Sequence, residues 1–107
     1  MGYVELTKTG NTYLLTMTSD NQFDKPYVIM LGESYEAASE SLNSLIEVSS
    51  TITKDDSFKF NDGIKDYYIY KGMFKSEVWF KSRGYAGYGK TSTAELHSLL
   101  KALTKTK

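Results

Sequence analysis

Aromatic and basic residues are concentrated in one part of this sequence, residues 65–90. This stretch contains five tyrosines, two phenylalanines, the only tryptophan and six basic residues, and only Asp66 and Glu77 are acidic. Cations bind the phosphates of a nucleic-acid strand, and flat rings stack on its exposed bases. The composition therefore indicates nucleic-acid binding. The alternative is an ordinary pair of strands with packed rings and solubilising lysines.

Residues 84–91, GYAGYGKT, fit the phosphate-binding pattern G-x-x-x-x-G-K-[ST]. In a loop of this kind, backbone N–H groups surround the phosphates and the lysine, here Lys90, reaches their oxygens. However, only 16 residues follow Thr91, whereas nucleotide-hydrolysing folds continue through further parallel strands. Tyr85 and Tyr88 are also bulky for such a loop. Nucleotide binding therefore stays an alternative, and we expect a glycine-rich loop at 83–91 whose cations contact a polynucleotide backbone.

The charge of the chain is divided between its two halves. Residues 1–64 carry four basic and ten acidic groups, a net charge of −6, whereas residues 65–107 carry nine basic and three acidic groups, a net charge of +6. A partner meets the local field, because salt screens charges over about 8–10 Å. The division predicts either a basic surface in the second half or neutralisation of one half by the other.

Several classes of site are disfavoured by the composition. The chain has no cysteine and only one histidine, His97, so disulfides and a transition-metal site are not expected. No serine occupies a nucleophile elbow, and we predict a protein that is not an enzyme and holds no cofactor. The N-terminus lacks the pattern of a signal peptide, and no apolar run approaches the roughly 20 residues that span a bilayer. These features predict a cytoplasmic protein without a membrane partner.

Strand and helix signals alternate along the first half. Residues 3–9 and 12–18 alternate in polarity on either side of Gly10-Asn11, which favours a hairpin. Residues 27–31 form an apolar run typical of a buried strand. From Ser34, a plausible N-cap, apolar residues follow helical spacing to about residue 50. The opposite side of this predicted helix carries the acids Glu36, Glu40 and Glu47.

The second half repeats this order. Residues 58–60, 67–71 and 73–82 read as strands, separated by turn signals at 61–63 and at Gly72. Ser92 and Glu95 then form a capping box in front of leucines at helical spacing. We therefore predict one domain, residues 1–107, of the α+β class, with pseudo-repeat halves of about 1–50 and 55–104. Each half has the order strand-strand-strand-helix, and one antiparallel sheet carries both helices on one face.

This order of elements resembles the Whirly and PUR-type single-strand-binding folds. It is also similar to the double-wing DNA-binding domain of a phage transcription factor, which alternates three strands and a helix twice. The resemblance covers nearly the whole chain at the level of topology, and it transfers no site residue. It implies nucleic-acid binding through the sheet, single-stranded in the first case and duplex in the second.

Alternation along the strands predicts which side chains reach solvent. Ile69, Val78 and Phe80 are expected in the core, which leaves aromatic rings on the opposite, open face. The predicted nucleic-acid-binding residues are Tyr68, Tyr70, Lys71, Lys75, Trp79, Lys81, Arg83, Tyr85, Tyr88 and Lys90. The alternative places the tryptophan partly in the core.

The sequence thus predicts a small protein that binds nucleic acid, single-stranded DNA or RNA in preference to duplex. The first alternative is a protein-interaction module or inhibitor that acts through the acidic first half. Either function would suit a phage or mobile-element accessory protein. Open strand edges also leave a homodimer as an alternative.

Overall fold

The computed structural model describes residues 4–18, 25–73, 77–83 and 87–105. Three strands precede the first helix, and four strands precede the second. The strands are β1 (Val4–Thr9), β2 (Thr12–Met17), β3 (Tyr27–Gly32), β4 (Ser57–Asn61), β5 (Asp66–Lys71), β6 (Glu77–Lys81) and β7 (Tyr88–Ser92), and the helices are α1 (Tyr35–Thr51) and α2 (Thr93–Thr104). The α+β class and the placement of strands before each helix are confirmed, and the second half has one strand, β7, beyond the three that the sequence predicted.

The first sheet is antiparallel, in the order β1–β2–β3. Gly10 has a φ of 62°, which lets the two-residue turn Gly10-Asn11 join the paired residues Thr9 and Thr12. Every second residue of β2 and β3 is buried, because these strands turn one face to the core. The buried residues are Tyr13, Leu15, Met17, Tyr27, Ile29 and Leu31.

The second sheet is also antiparallel, in the order β4–β5–β6–β7. Its inner face is buried and carries Tyr67, Ile69, Val78, Phe80, Gly89 and Thr91. The expected glycine-rich loop at 83–91 is corrected from Tyr88 onwards, where β7 begins, and residues 84–86 of that prediction lie outside the described residues. A Cβ atom on Gly89 would come within 3.0 Å of Met17 in the first sheet. This glycine therefore allows two sheets to pack closely and does not mark a loop.

Both helices begin where the sequence predicts. The Ser34 hydroxyl accepts a hydrogen bond from Ala37 N at 3.1 Å, and Ser92 Oγ accepts one from Glu95 N at 3.2 Å. The helices pack against each other, and their apolar sides join the inner faces of both sheets in one core. His97 is exposed on α2. Neither helix, within the part of the chain that is described, is long and apolar enough to cross a membrane.

The strands form two sheets, whereas the sequence predicted one. Side chains of the β4–β5 turn occupy the free edge of β3: Asp62 Oδ2 accepts a hydrogen bond from Met30 N at 3.1 Å, and Lys65 Nζ donates one to Val28 O. These backbone groups are the ones that a further strand would need to extend the first sheet. The sheet therefore ends at β3, and the strands of the second half pair among themselves.

Candidate nucleic-acid interface

The face of the second sheet that points away from the core brings most of the predicted residues together. We call it the outer face. Residues paired across antiparallel strands share one face of the sheet, so the register defines two rows across β4 to β7. The first row is Ser57, Tyr70, Trp79 and Lys90, and the second row is Lys59, Tyr68, Lys81 and Tyr88.

The rings of the outer face are open to solvent to different degrees. Tyr70 is 39% exposed, and Tyr68, Trp79 and Tyr88 are half-buried. On β5 and β6 the residues between them, Ile69, Val78 and Phe80, are buried as the sequence predicts. In the described part of the chain, none of these four rings belongs to the hydrophobic core. The rings are therefore held by the sheet while part of each ring surface stays accessible.

One end of the outer face contains a cleft of about 280 Å³. It is lined by Tyr68, Tyr70, Lys81, Ser82 and Arg83. The centroids of the two tyrosine rings lie 6.4 Å apart, with an angle of 31° between their planes. Lys81 and Arg83 are exposed, and neither forms an ion pair with any residue in the described ranges. The cleft thus combines two flat side chains with two available cations.

A second cluster surrounds Glu77, which is only 8% exposed. Trp79 Nε1 donates a hydrogen bond to Glu77 Oε1 at 2.9 Å, and Lys90 Nζ lies 3.4 Å from Glu77 Oε2. The Trp79 ring packs against Tyr88, with centroids 5.1 Å apart. Glu77 therefore restrains the indole through this hydrogen bond and offsets the charge of Lys90.

Sequence reasoning missed the role of Glu77, although one local signal points to it. A Cβ atom on Gly72 would lie 2.5 Å from Glu77 Oε1, so the glycine leaves space for the carboxylate. Met73 N also donates to the same oxygen at 3.1 Å. Gly72 and Met73, which follow β5, thus border the carboxylate of Glu77 at the start of β6. The carboxylate position depends on these contacts and not on strand alternation alone.

The remaining predicted residues differ in their placement. Lys71 pairs with Val78 and so lies on the side of the sheet that faces the core, opposite Lys81 and Lys90. Lys75 and Tyr85 lie outside the described residues. Seven of the predicted residues lie together on the outer face or in its cleft: Tyr68, Tyr70, Trp79, Lys81, Arg83, Tyr88 and Lys90.

The last four residues of the GYAGYGKT pattern, Tyr88 to Thr91, are extended and form part of a strand. Lys90 and Thr91 belong to β7, and strand alternation places them on opposite faces of the sheet. Thr91 is buried, and its hydroxyl has no hydrogen-bond partner among the residues that the structure describes. In a nucleotide-binding loop the lysine and the hydroxyl reach the same phosphate group and its metal ion. The strand separates these two groups.

Further negative charge lies on α1 and at the β4–β5 turn, away from the outer face. Glu36, Glu40 and Glu47 are exposed on α1, and none of them forms an ion pair with a residue that the structure describes. A second cavity, of about 330 Å³, lies between α1 and the β4–β5 turn, and Glu40 and Asp62 line it. Carboxylates repel phosphates, so this cavity is unsuited to a nucleic-acid backbone.

Burial and hydrogen bonding act in opposite directions on Asp62. Burial favours its protonated form, but N–H groups of Lys65, Ile64 and Met30 donate to the carboxylate and lower its pKa below the ordinary value of 3.8. Burial raises the pKa of Tyr67, which stays a neutral phenol.

Comparisons with protein-family models, curated proteins and solved structures found no match for this chain.

Proposed function

We propose that this protein is a non-enzymatic, cytoplasmic protein that binds single-stranded nucleic acid on the outer face of its second sheet. The observation that carries the proposal is the cleft, in which Tyr68 and Tyr70 lie beside Lys81 and Arg83. Rings of this kind stack on bases of any sequence, and the cations bind the neighbouring phosphates. This combination would bind both the base and the phosphate of a nucleotide.

A single strand suits this face better than a duplex. The half-exposed rings can stack only on bases whose faces are accessible, and the bases of a duplex are stacked on one another. Four-stranded sheets that bind RNA through aromatic side chains typically stack two or three bases. We expect a short contact of that size here, centred on β5 and β6.

The test is the salt dependence of oligonucleotide binding. Fluorescence anisotropy of a labelled single strand should give a log–log slope of about −1.4, because two available cations each contribute about −0.7. Lys81→Gln should reduce the slope by about 0.7. Lys101→Gln, which alters an exposed lysine on α2, should leave it unchanged. The proposal fails if binding is absent at low salt or if the two variants behave alike.

A protein-interaction module acting through α1 is the second candidate. It is favoured by the three exposed glutamates of α1, Glu36, Glu40 and Glu47, which form no ion pair in the described parts of the chain. Such a surface would attract a basic partner, for example the nucleic-acid-binding face of another protein. Pull-downs with the wild type and with a triple glutamine variant at these positions would distinguish this candidate, since oligonucleotide binding should survive the substitutions.

A further inference from the structure

We infer that the cleft lined by Tyr68, Tyr70, Lys81, Ser82 and Arg83 is a subsite for the phosphorylated end of a nucleic-acid strand. This inference rests on the proposed function and specifies its ligand further. The ligand would be a terminal nucleotide that bears a phosphate monoester. Its base would lie against the tyrosines, and its phosphate would lie between the two cations.

The distribution of ion pairs on the outer face supports this subsite. Lys59 Nζ lies 3.5 Å from Asp66 Oδ2, and Lys90 Nζ lies 3.4 Å from Glu77 Oε2. The cations on the two edge strands of the sheet, Lys59 on β4 and Lys90 on β7, are thus paired with carboxylates. Lys81 and Arg83 form no such pair with a described residue, and both belong to the same cleft. Among the described residues of the outer face, the available positive charge therefore lies in this cleft and does not follow a long backbone.

Two cations at one point match a doubly charged group. An internal phosphodiester carries a single negative charge, whereas a phosphate monoester carries about −1.5 to −2 at pH 7, because its second pKa is near 6. Arginine binds such a group through two parallel N–H···O hydrogen bonds, and a lysine adds a third donor. A terminal monoester thus gains more from this pair of cations than an internal phosphate does.

The size and the rings of the cleft limit the ligand to one nucleotide unit. Its volume of about 280 Å³ lies just below the range of about 300–1,000 Å³ that is usual for small-ligand pockets. The tyrosine rings lie on β5 and the cations at the end of β6 and just beyond it, so base and phosphate would contact adjacent strands. Free inorganic phosphate would use the cations alone and would lack the contribution of stacking.

The experiment compares four probes at constant ionic strength. Three are the same six-nucleotide thymidine strand with a 5′-phosphate, with a 3′-phosphate, or with hydroxyls at both ends, and the fourth is inorganic phosphate as a competitor. At pH 7.5 we expect one phosphorylated strand to bind about tenfold more tightly than the hydroxyl-ended strand, the effect of a further charge-assisted hydrogen bond. The end that gives this gain identifies the polarity of the bound strand. Inorganic phosphate should compete only weakly.

The pH dependence and one variant complete the test. The tenfold gain should shrink as the pH falls below 6, because the monoester loses its second charge. Arg83→Gln should abolish the gain, whereas Lys105→Gln on the end of α2 should preserve it. Equal binding of all three strands overturns the terminal subsite but leaves the proposed function intact. Absence of binding by every strand overturns both.

Discussion

Replacement of Tyr70 by alanine should weaken binding of single strands while leaving the fold in place. Tyr70 lies on the outer face, is 39% exposed and lines the cleft beside Tyr68. Base–aromatic stacking contributes about 1–3 kcal/mol per base, so the dissociation constant should rise about five- to 150-fold. The measurement is anisotropy of a labelled thymidine 12-mer at low salt.

The same sheet offers a matched control for this variant. Phe58 is 38% exposed, nearly the same as Tyr70, but it pairs with the buried Ile69 and so lies on the inner side of the edge strand β4. Phe58→Ala removes a ring of similar size and exposure from the opposite face. We expect it to change oligonucleotide affinity less than twofold.

A second control separates stacking from the tyrosine hydroxyl. Tyr70→Phe keeps the ring, and we expect affinity close to that of the wild type. Thermal unfolding of each variant should confirm that it is folded, since a cross-strand pair contributes only about 0.2–1 kcal/mol. If Tyr70→Ala and Phe58→Ala weaken binding equally, or neither does, the assignment of the outer face as the interface is refuted.

Three further substitutions test the account. Glu77→Gln keeps an oxygen that can accept the Trp79 hydrogen bond but removes a negative charge from the outer face, so single strands should bind roughly threefold more tightly; weaker or unchanged affinity would contradict this. Thr91→Val removes a buried hydroxyl that has no partner in the described parts of the chain, and it should raise the free energy of unfolding by about 1 kcal/mol. Thr93→Val breaks a 2.9 Å hydrogen bond to Ser49 and should lower the free energy of unfolding. Because the pKa of Asp62 is lowered in the folded state, its stabilisation is complete above pH 3.8 and is lost as the pH falls through the folded pKa. Asp62→Asn should therefore destabilise the protein at pH 7 and reduce the loss of stability between pH 7 and pH 3. Denaturant melts at the two pH values measure this loss. An equal loss in the wild type and the variant would contradict the prediction.

The division of side chains between the two faces of the second sheet was predictable from sequence. Alternation alone assigned Ile69, Val78 and Phe80 to the core, and it assigned Tyr68 and Tyr70 to the opposite face. Strand periodicity is a local property, and it does not depend on which strands become neighbours. The helix N-caps were predictable for the same reason, since capping involves residues only three positions apart.

The features that sequence reasoning missed depend on contacts between distant segments. Gly89 appeared to belong to a loop. In the structure it has no side chain to clash with Met17, which packs against it from the other sheet. The edge of β3 ends its sheet because Asp62 and Lys65 bind the backbone from more than 30 positions away. Charge composition likewise could not show which cations are paired, because the contact between Glu77 and Lys90 forms only in the folded chain.

The most direct test of the central claim uses the fluorescence of Trp79 during titration with an unlabelled single strand. Trp79 is the only tryptophan of the chain and lies on the outer face, where its ring packs against Tyr88. If bases bind this face, its emission should be quenched in a saturable manner, with the same dissociation constant as the anisotropy assay gives. Binding of the labelled strand without any change in Trp79 emission would place the interface elsewhere and contradict the account.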